Sequence, residues 1–104
     1  MSDTATRKIP IRDLLHARRD EIQSIAAKFR AENVRVFGSV SRNQDTVGSD
    51  VDLLVTFLPG ATVYDMMGLE IAIENLLGVH VDIASDDGLE EAARAQILSE
   101  AVAL

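Results

Sequence analysis

The sequence predicts a small α/β domain, in which a short mixed β-sheet carries helices mainly on one face. One observation is the order of the segments, because stretches with helical spacing of apolar residues alternate with short β-branched runs as helix, strand, strand, helix, strand, helix. The other is composition: 104 residues suit a single domain over 1–104, and 47% hydrophobic with 26% charged residues indicates a globular chain.

The first part of the chain predicts one helix and one strand. Apolar side chains recur at helical spacing over residues 11–32, which predicts an amphipathic helix that can bend near the Arg18-Arg19 pair. We expect Asn33 to end this helix. The β-branched run 34–37 then predicts the first strand.

The middle of the chain predicts a second strand and a second helix. Residues 51–57 are an apolar run closed by a Pro-Gly pair, which is typical of a strand followed by a turn. Thr62 and Asp65 have the spacing of a capping box at a helix N-terminus. Gly78 follows the helical pattern and is well placed to end it, because glycine adopts the left-handed conformation without steric penalty.

The last part of the chain predicts a third strand and a final helix. Residues 79–84 alternate apolar and polar side chains, as a half-buried strand does. Asp87 and Glu90 repeat the capping-box spacing and predict a helix over the residues that follow, 89–102.

Two aspartates interrupt the second strand, and they are the main functional signal. Because side chains alternate along a strand, Asp50 and Asp52 share one face and the apolar residues share the other. Adjacent carboxylates repel each other, and a divalent cation removes that repulsion; hard oxygen donors of this kind suit Mg²⁺. By the same alternation His80 and Asp82 share a face of the third strand, so Asp82 adds a third carboxylate if the two strands are neighbours. A lone histidine here is more often structural than a ligand.

Gly38 and Ser39 follow the first strand and predict an anion site. A strand that stops at glycine can turn sharply and direct successive backbone N–H groups outward, an arrangement that binds phosphate oxygens. The Ser39 hydroxyl adds a further donor, and Arg42 can add a positive charge.

Each of these residues also has an interpretation that needs no ligand. Asp50 can cap the start of a strand, Asp82 can be a solvated strand acid, and Arg42 can be a solvated loop charge. Asp86 and Asp87 are alternatives to Asp82 as the third carboxylate, but helix capping explains them.

The bulk composition excludes several classes of function. A net charge of −7 and a pI near 4.6 argue against binding DNA or RNA through its phosphate backbone. The chain has no cysteine, which excludes disulfide frameworks and thiolate metal sites. We find no signal peptide and no apolar run of membrane-spanning length, so we expect a cytoplasmic protein that makes no membrane contact.

The segments FGSVSR, SDVDLLV and VDI together resemble the nucleotidyltransferase superfamily whose best-known member is DNA polymerase beta. More narrowly, the chain resembles the minimal nucleotidyltransferases, the small partners of HEPN-domain toxins in prokaryotic toxin–antitoxin pairs. The resemblance covers nearly the whole chain and implies the small polymerase beta-like nucleotidyltransferase fold. It implies that Gly38 and Ser39 hold a triphosphate, and that the catalytic acids Asp50, Asp52 and Asp82 bind two Mg²⁺ ions.

The resemblance also implies a reaction and a partner. ATP would donate AMP to a tyrosine hydroxyl of a cognate HEPN toxin, with which the chain would form a hetero-oligomer. Two alternatives remain open, namely an antitoxin that acts by binding alone and a small-molecule nucleotidyltransferase. The chain departs from the family pattern at Asn43, where glycine is expected after Arg42, and in lacking the second domain of larger relatives. Apolar residues near the C-terminus are candidates for docking a helical partner: Ile97, Leu98, Val102 and Leu104.

Overall fold

The computed structural model describes residues 10–38 and 50–104 of the chain. Over these two ranges the elements are the helices α1 (Ile11–Ala17), α2 (Arg19–Lys28), α3 (Val63–Leu77) and α4 (Glu91–Glu100), and the strands β1 (Ala31–Phe37), β2 (Val51–Phe57), β3 (Val81–Ser85) and β4 (Val102–Ala103). Among the described helices, none is long and apolar enough to cross a membrane.

The four strands form one mixed sheet in the order β3-β2-β1-β4. Strand β1 runs antiparallel to both β2 and β4, whereas β2 and β3 run parallel. Parallel neighbours need a crossover connection, and α3 is that crossover. The predicted short mixed sheet is therefore confirmed, with one further strand at its edge.

The core lies between one face of the sheet and the first three helices. Ile22 of α2, Leu69 and Ile73 of α3, and Leu53 of β2 are fully buried in a single apolar cluster. The prediction that helices cover mainly one face is confirmed. On the opposite face Leu54 is also fully buried, so this face is not open along its whole length.

The predicted helix 11–32 is divided at Arg18, where the bend was expected, but its predicted end is wrong. The helical path is interrupted at Arg18 (φ −106°, ψ 14°), and α2 stops at Lys28. Arg30 adopts a left-handed conformation with φ +61° and leads directly into β1. Asn33 lies inside β1 with φ +55°, at an irregularity of the β1–β2 pairing, because asparagine tolerates this conformation better than most residues.

The predicted capping box at the start of α3 is confirmed. The Thr62 N–H donates to Asp65 Oδ2 at 2.9 Å, and the Tyr64 N–H donates to Thr62 Oγ1 at 3.2 Å. The helix ends as predicted at Gly78, which has φ +74° and donates its N–H to the Glu74 carbonyl at 2.8 Å. Both ends of the crossover helix are therefore fixed by local sequence.

The second predicted capping box, Asp87 with Glu90, is wrong. Glu90 itself is the N-cap of α4, and no side chain caps that helix. Instead, Ser85 accepts a hydrogen bond from the Asp87 N–H and caps a short 3₁₀ turn that precedes α4. The helix ends at Glu100, because Val102 has left it to pair with β1 as part of β4.

Asp86 is not a helix cap but the centre of a polar cluster that joins three strands. Its Oδ2 lies 2.9 Å from an Arg35 guanidinium nitrogen and accepts a hydrogen bond from the Thr56 hydroxyl. Burial opposes ionisation of Asp86, but the hydrogen bonds from Thr56 and Arg35 and the charge of Arg35 outweigh it and hold the pKa of Asp86 below its ordinary value. The cluster ties β1 and β2 to the turn that follows β3.

We expect Asp86→Asn to lower the free energy of unfolding by about 1–3 kcal/mol at neutral pH, because it weakens charge-assisted hydrogen bonds in a partly buried site. Since the pKa of Asp86 is lower in the folded protein than in the unfolded chain, this stabilisation is complete above the unfolded value of about 4 and is lost as the pH falls through the folded value. Urea unfolding of wild type and variant at several pH values measures both effects. Asp87→Asn, at the exposed neighbouring residue, is the control. Equal losses in the two variants, or a loss that does not change with pH, would contradict the assignment.

Candidate active site

The pairing of three strands brings the predicted acids to one end of the sheet. Asp52 of β2 is paired with Asp82 of β3 in the parallel ladder, and with Phe37 of β1 in the antiparallel one. Gly38 follows Phe37, and Asp50 stands just before β2 begins. The expectation that the third strand lies beside the second, with Asp82 next to Asp52, is confirmed.

Gly38 is required by both conformation and space. Its φ of +78° lies in the left-handed region, which side chains disfavour. A Cβ atom at this position would overlap Asp52 Oδ2 and would lie 3.2 Å from Asp52 Cγ. The Asp52 carboxylate therefore stands directly against the backbone at the end of β1, and a glycine is what permits this approach.

The rest of the predicted anion site lies outside the described residues. This applies to Ser39 and Arg42, and to the departure from the family pattern at Asn43. Their contribution to phosphate binding stays a prediction. The positive φ at Gly38 is consistent with the sharp turn that this prediction requires.

His80 connects the site to helix α3. Its Nε2 lies 3.1 Å from Asp82 Oδ1, and its Nδ1 lies 3.0 Å from Glu74 Oε2. The Asp82 carboxylate raises the pKa of His80 above its ordinary value; desolvation opposes the shift, and the charges of Asp50 and Glu74 reinforce it. Strand alternation predicted that His80 and Asp82 share a face. Glu74 was missed, because its contact depends on the turn between α3 and β3 and leaves no spacing signal.

The carboxylates have the chemistry of a site for a hard divalent cation. Asp52 and Asp82 stand on neighbouring strands, whose backbones lie about 4.8 Å apart, and Asp50 is exposed at the same end of the sheet. Carboxylate oxygens are the donors that Mg²⁺ prefers. In the described part of the chain, no group of three or more His, Cys, Asp or Glu residues is gathered closely enough to hold a metal ion. The three-carboxylate metal site therefore stays a prediction.

A pocket of about 300 Å³ lies away from these acids, between α2, β1 and the last two residues of the chain. Alanines form much of its lining, and none of Asp50, Asp52 and Asp82 borders it. It offers no acid cluster and no phosphate turn, so the candidate site is the end of the sheet described above.

Comparison with known proteins identifies relatives over most of the chain. The family model described as "Nucleotidyltransferase domain" matches residues 19–104. Protein adenylyltransferase MntA of Thermococcus cleftensis is 32% identical over 92 residues, which span 88% of this chain and 90% of that protein. A provisionally named protein adenylyltransferase of Methanocaldococcus jannaschii is 33% identical over 82 residues, which span 79% of this chain and 88% of that protein.

Solved structures show the same fold. A structure provisionally described as a minimal nucleotidyltransferase superposes with a TM-score of 0.80 at 47% identity, over 89% of this chain and 95% of that one. A crystal structure of a toxin–antitoxin with AMP-PNP superposes with a TM-score of 0.69 over 81% of this chain and 69% of that one. Its 16% identity supports the fold alone.

We expect Gly38→Ala to lower the free energy of unfolding by at least about 1 kcal/mol, because a side chain at this φ is strained and the new Cβ displaces the Asp52 carboxylate. The control is Gly88→Ala, where the nearest atom to an added Cβ is 3.9 Å away and φ is not positive. Urea unfolding compares the two variants. If both lose the same stability, the close approach of Asp52 to Gly38 is not a constraint on this turn.

Proposed function

The chain belongs to the nucleotidyltransferase family, and we propose that it is an antitoxin that transfers AMP from ATP to a hydroxyl group of its cognate toxin. The observation that carries the proposal is the parallel register of Asp52 with Asp82, at the end of the sheet where Gly38 turns against Asp52. The names of the curated relatives support protein adenylylation as the reaction. We further propose that the toxin is of the HEPN type and that the acceptor is a tyrosine.

In this proposal Asp50, Asp52 and Asp82 hold two Mg²⁺ ions, and the turn at Gly38 and Ser39 donates backbone and hydroxyl hydrogen bonds to the triphosphate. Mg²⁺ would supply neutralisation of the phosphates and stabilisation of the entering and leaving oxygens. The acceptor oxygen forms a bond to the α-phosphorus as the bond to the bridging oxygen breaks, and pyrophosphate leaves. Asp82 is exposed, and its carboxylate is the proposed destination of the hydroxyl proton.

The face of α3 that points away from the core supplies a docking surface for the toxin. Four exposed apolar side chains recur along it at helical spacing, which places them on one face: Val63 (62% exposed), Tyr64 (79%), Met67 (51%) and Ile71 (54%). Contiguous exposed apolar side chains of this kind mark interaction surfaces. Of the C-terminal residues that the sequence also offered for docking, Leu98 and Val102 are exposed, whereas Leu104 packs against the core.

Charge selects the occupant of this surface. Helix α3 carries three acidic residues and no Lys or Arg, and only one of the ten Lys and Arg residues of the chain, Arg94, comes after residue 42. A second copy of α3 would bring acid against acid, which disfavours self-association through this face. The surface therefore fits an amphipathic helix of the toxin whose apolar stripe has basic flanks.

The same surface leads to the acids. Ile71 and Glu74 are three residues apart and so lie on neighbouring positions of one helix face, and Glu74 reaches His80, which contacts Asp82. A toxin docked along α3 would extend to the end of the sheet where transfer takes place. In this arrangement the docked toxin supplies the acceptor hydroxyl next to the acids.

The transfer reaction is tested by incubating the chain with ATP labelled at the α-phosphate, Mg²⁺ and the toxin. We expect label on the toxin with wild type and none with Asp50→Ala/Asp52→Ala, which should still bind the toxin because α3 is unchanged. The control Asp87→Ala/Glu91→Ala makes the same charge change at two exposed acids after β3 and should transfer normally. A tight complex without label would establish inhibition by occupancy. Label on a small molecule without the toxin would establish the small-molecule alternative.

The docking surface is tested with two charge insertions at exposed apolar residues, Met67→Asp on α3 and Leu98→Asp on α4. We expect Met67→Asp to weaken toxin binding at least about tenfold, which corresponds to about 1.4 kcal/mol, because it places a charge in the apolar stripe. Leu98→Asp should bind nearly as wild type does in calorimetry. A larger loss of toxin affinity from Leu98→Asp than from Met67→Asp would show that the toxin binds the C-terminal surface and not α3.

A further inference from the structure

Two side chains, Glu74 of helix α3 and then His80, link Asp82 to that helix through successive polar contacts. Glu74 Oε2 lies 3.0 Å from His80 Nδ1, and His80 Nε2 lies 3.1 Å from Asp82 Oδ1. Both ring nitrogens therefore face a carboxylate oxygen, so the imidazole has a single defined orientation between the helix and the strand. The sequence carries no signal for a role of Glu74, and a lone histidine such as His80 is more often structural.

Glu74, the first residue of this series of contacts, is itself held in place. Glu74 Oε2 also accepts the Val81 N–H of β3 at 3.0 Å, which joins the helix to the first residue of the strand. The preceding residue of α3, Ile73, is fully buried in the core. The exposed fraction of the side chain rises in the order of these contacts, from 30% for Glu74 to 55% for His80 and 58% for Asp82. The position of the exposed Asp82 side chain is therefore restrained, through His80, by the less exposed Glu74.

Stability alone does not account for this arrangement. Ion pairs between exposed side chains contribute little to folding, because each pair loses side-chain entropy and its attraction is screened by water. An exposed aspartate without partners also rotates among several rotamers, and ordering it costs entropy at the moment of binding. A hydrogen bond that fixes the carboxylate in advance removes that cost from the binding step.

We propose that Glu74 and His80 are positioning residues, which hold Asp82 Oδ1 so that Oδ2 is presented to the metal beside Asp52. The inference rests on the proposed function, since it requires that Asp82 is a ligand. Carboxylates that bind metals are themselves held by hydrogen bonds, and loss of such a partner typically costs 10–100-fold in metal affinity. Neither residue touches substrate in this role; both act through Asp82.

The two amide analogues of histidine separate the two contacts. In His80→Gln the amide nitrogen takes the place of Nε2 and can still donate to Asp82, whereas in His80→Asn it takes the place of Nδ1 and faces Glu74. We expect His80→Asn to weaken Mn²⁺ binding about 10-fold or more, measured by calorimetry with AMP-PNP present. His80→Gln keeps the contact with Asp82 but loses the one with Glu74, so its affinity should lie between those of His80→Asn and the wild type. Glu74→Ala should weaken binding, and Glu70→Ala, one turn earlier on α3, is the matched control.

The outcomes distinguish this inference from the function on which it rests. If the wild type binds no Mn²⁺ with AMP-PNP, the metal site of the proposed function fails and the inference fails with it. If the wild type binds but His80→Asn and His80→Gln match it, the inference alone is overturned. Losses of affinity that merely follow losses of melting temperature in the metal-free protein would also overturn it. In an Asp82→Asn background, His80→Asn should cause no further loss of affinity.

Discussion

The parallel pairing of β2 with β3 is the constraint on which the rest of the site depends. A parallel pair cannot be joined by a tight turn, so the chain must cross over the sheet, and it does so through α3. The buried side chains of Leu69, Ile73 and Leu77 fix this helix on the sheet and thereby fix the level at which β3 enters it. A shift of one residue would turn Asp82 to the opposite face and away from Asp52.

Helix α3 consequently links the core, the acids and the proposed docking surface. One face completes the core, its last turn reaches the acids through Glu74, and its outer face carries the exposed apolar stripe. The same helix sets the register of the acids and, in the proposed function, would direct the partner towards them. In the proposed function, docking along this helix would bring the acceptor to the acids.

Much of this could be predicted from the sequence where the determining contacts are local. The period-two alternation placed Asp50 with Asp52 and His80 with Asp82, and the Thr62 box marked the start of α3, because both follow from residues a few positions apart. Features set by distant contacts were missed. The role of Asp86 depends on Arg35, which is 51 residues away in the chain, and the edge strand β4 is too short to carry a pattern. The local signal also misled at the start of α4, where Asp87 and Glu90 have the spacing of a capping box but Ser85 caps a separate 3₁₀ turn.

The central claim is that Asp52 and Asp82 share a metal that also binds the nucleotide. A crystal structure of the protein grown with Mn²⁺ and AMP-PNP tests it most directly, since Mn²⁺ can be located by its anomalous scattering. The account predicts a manganese peak within coordination distance, about 2.0–2.2 Å, of carboxylate oxygens from both residues, with the phosphates at the Gly38 turn. A nucleotide bound elsewhere, or a manganese ion on the phosphates with neither carboxylate as a ligand, would contradict it.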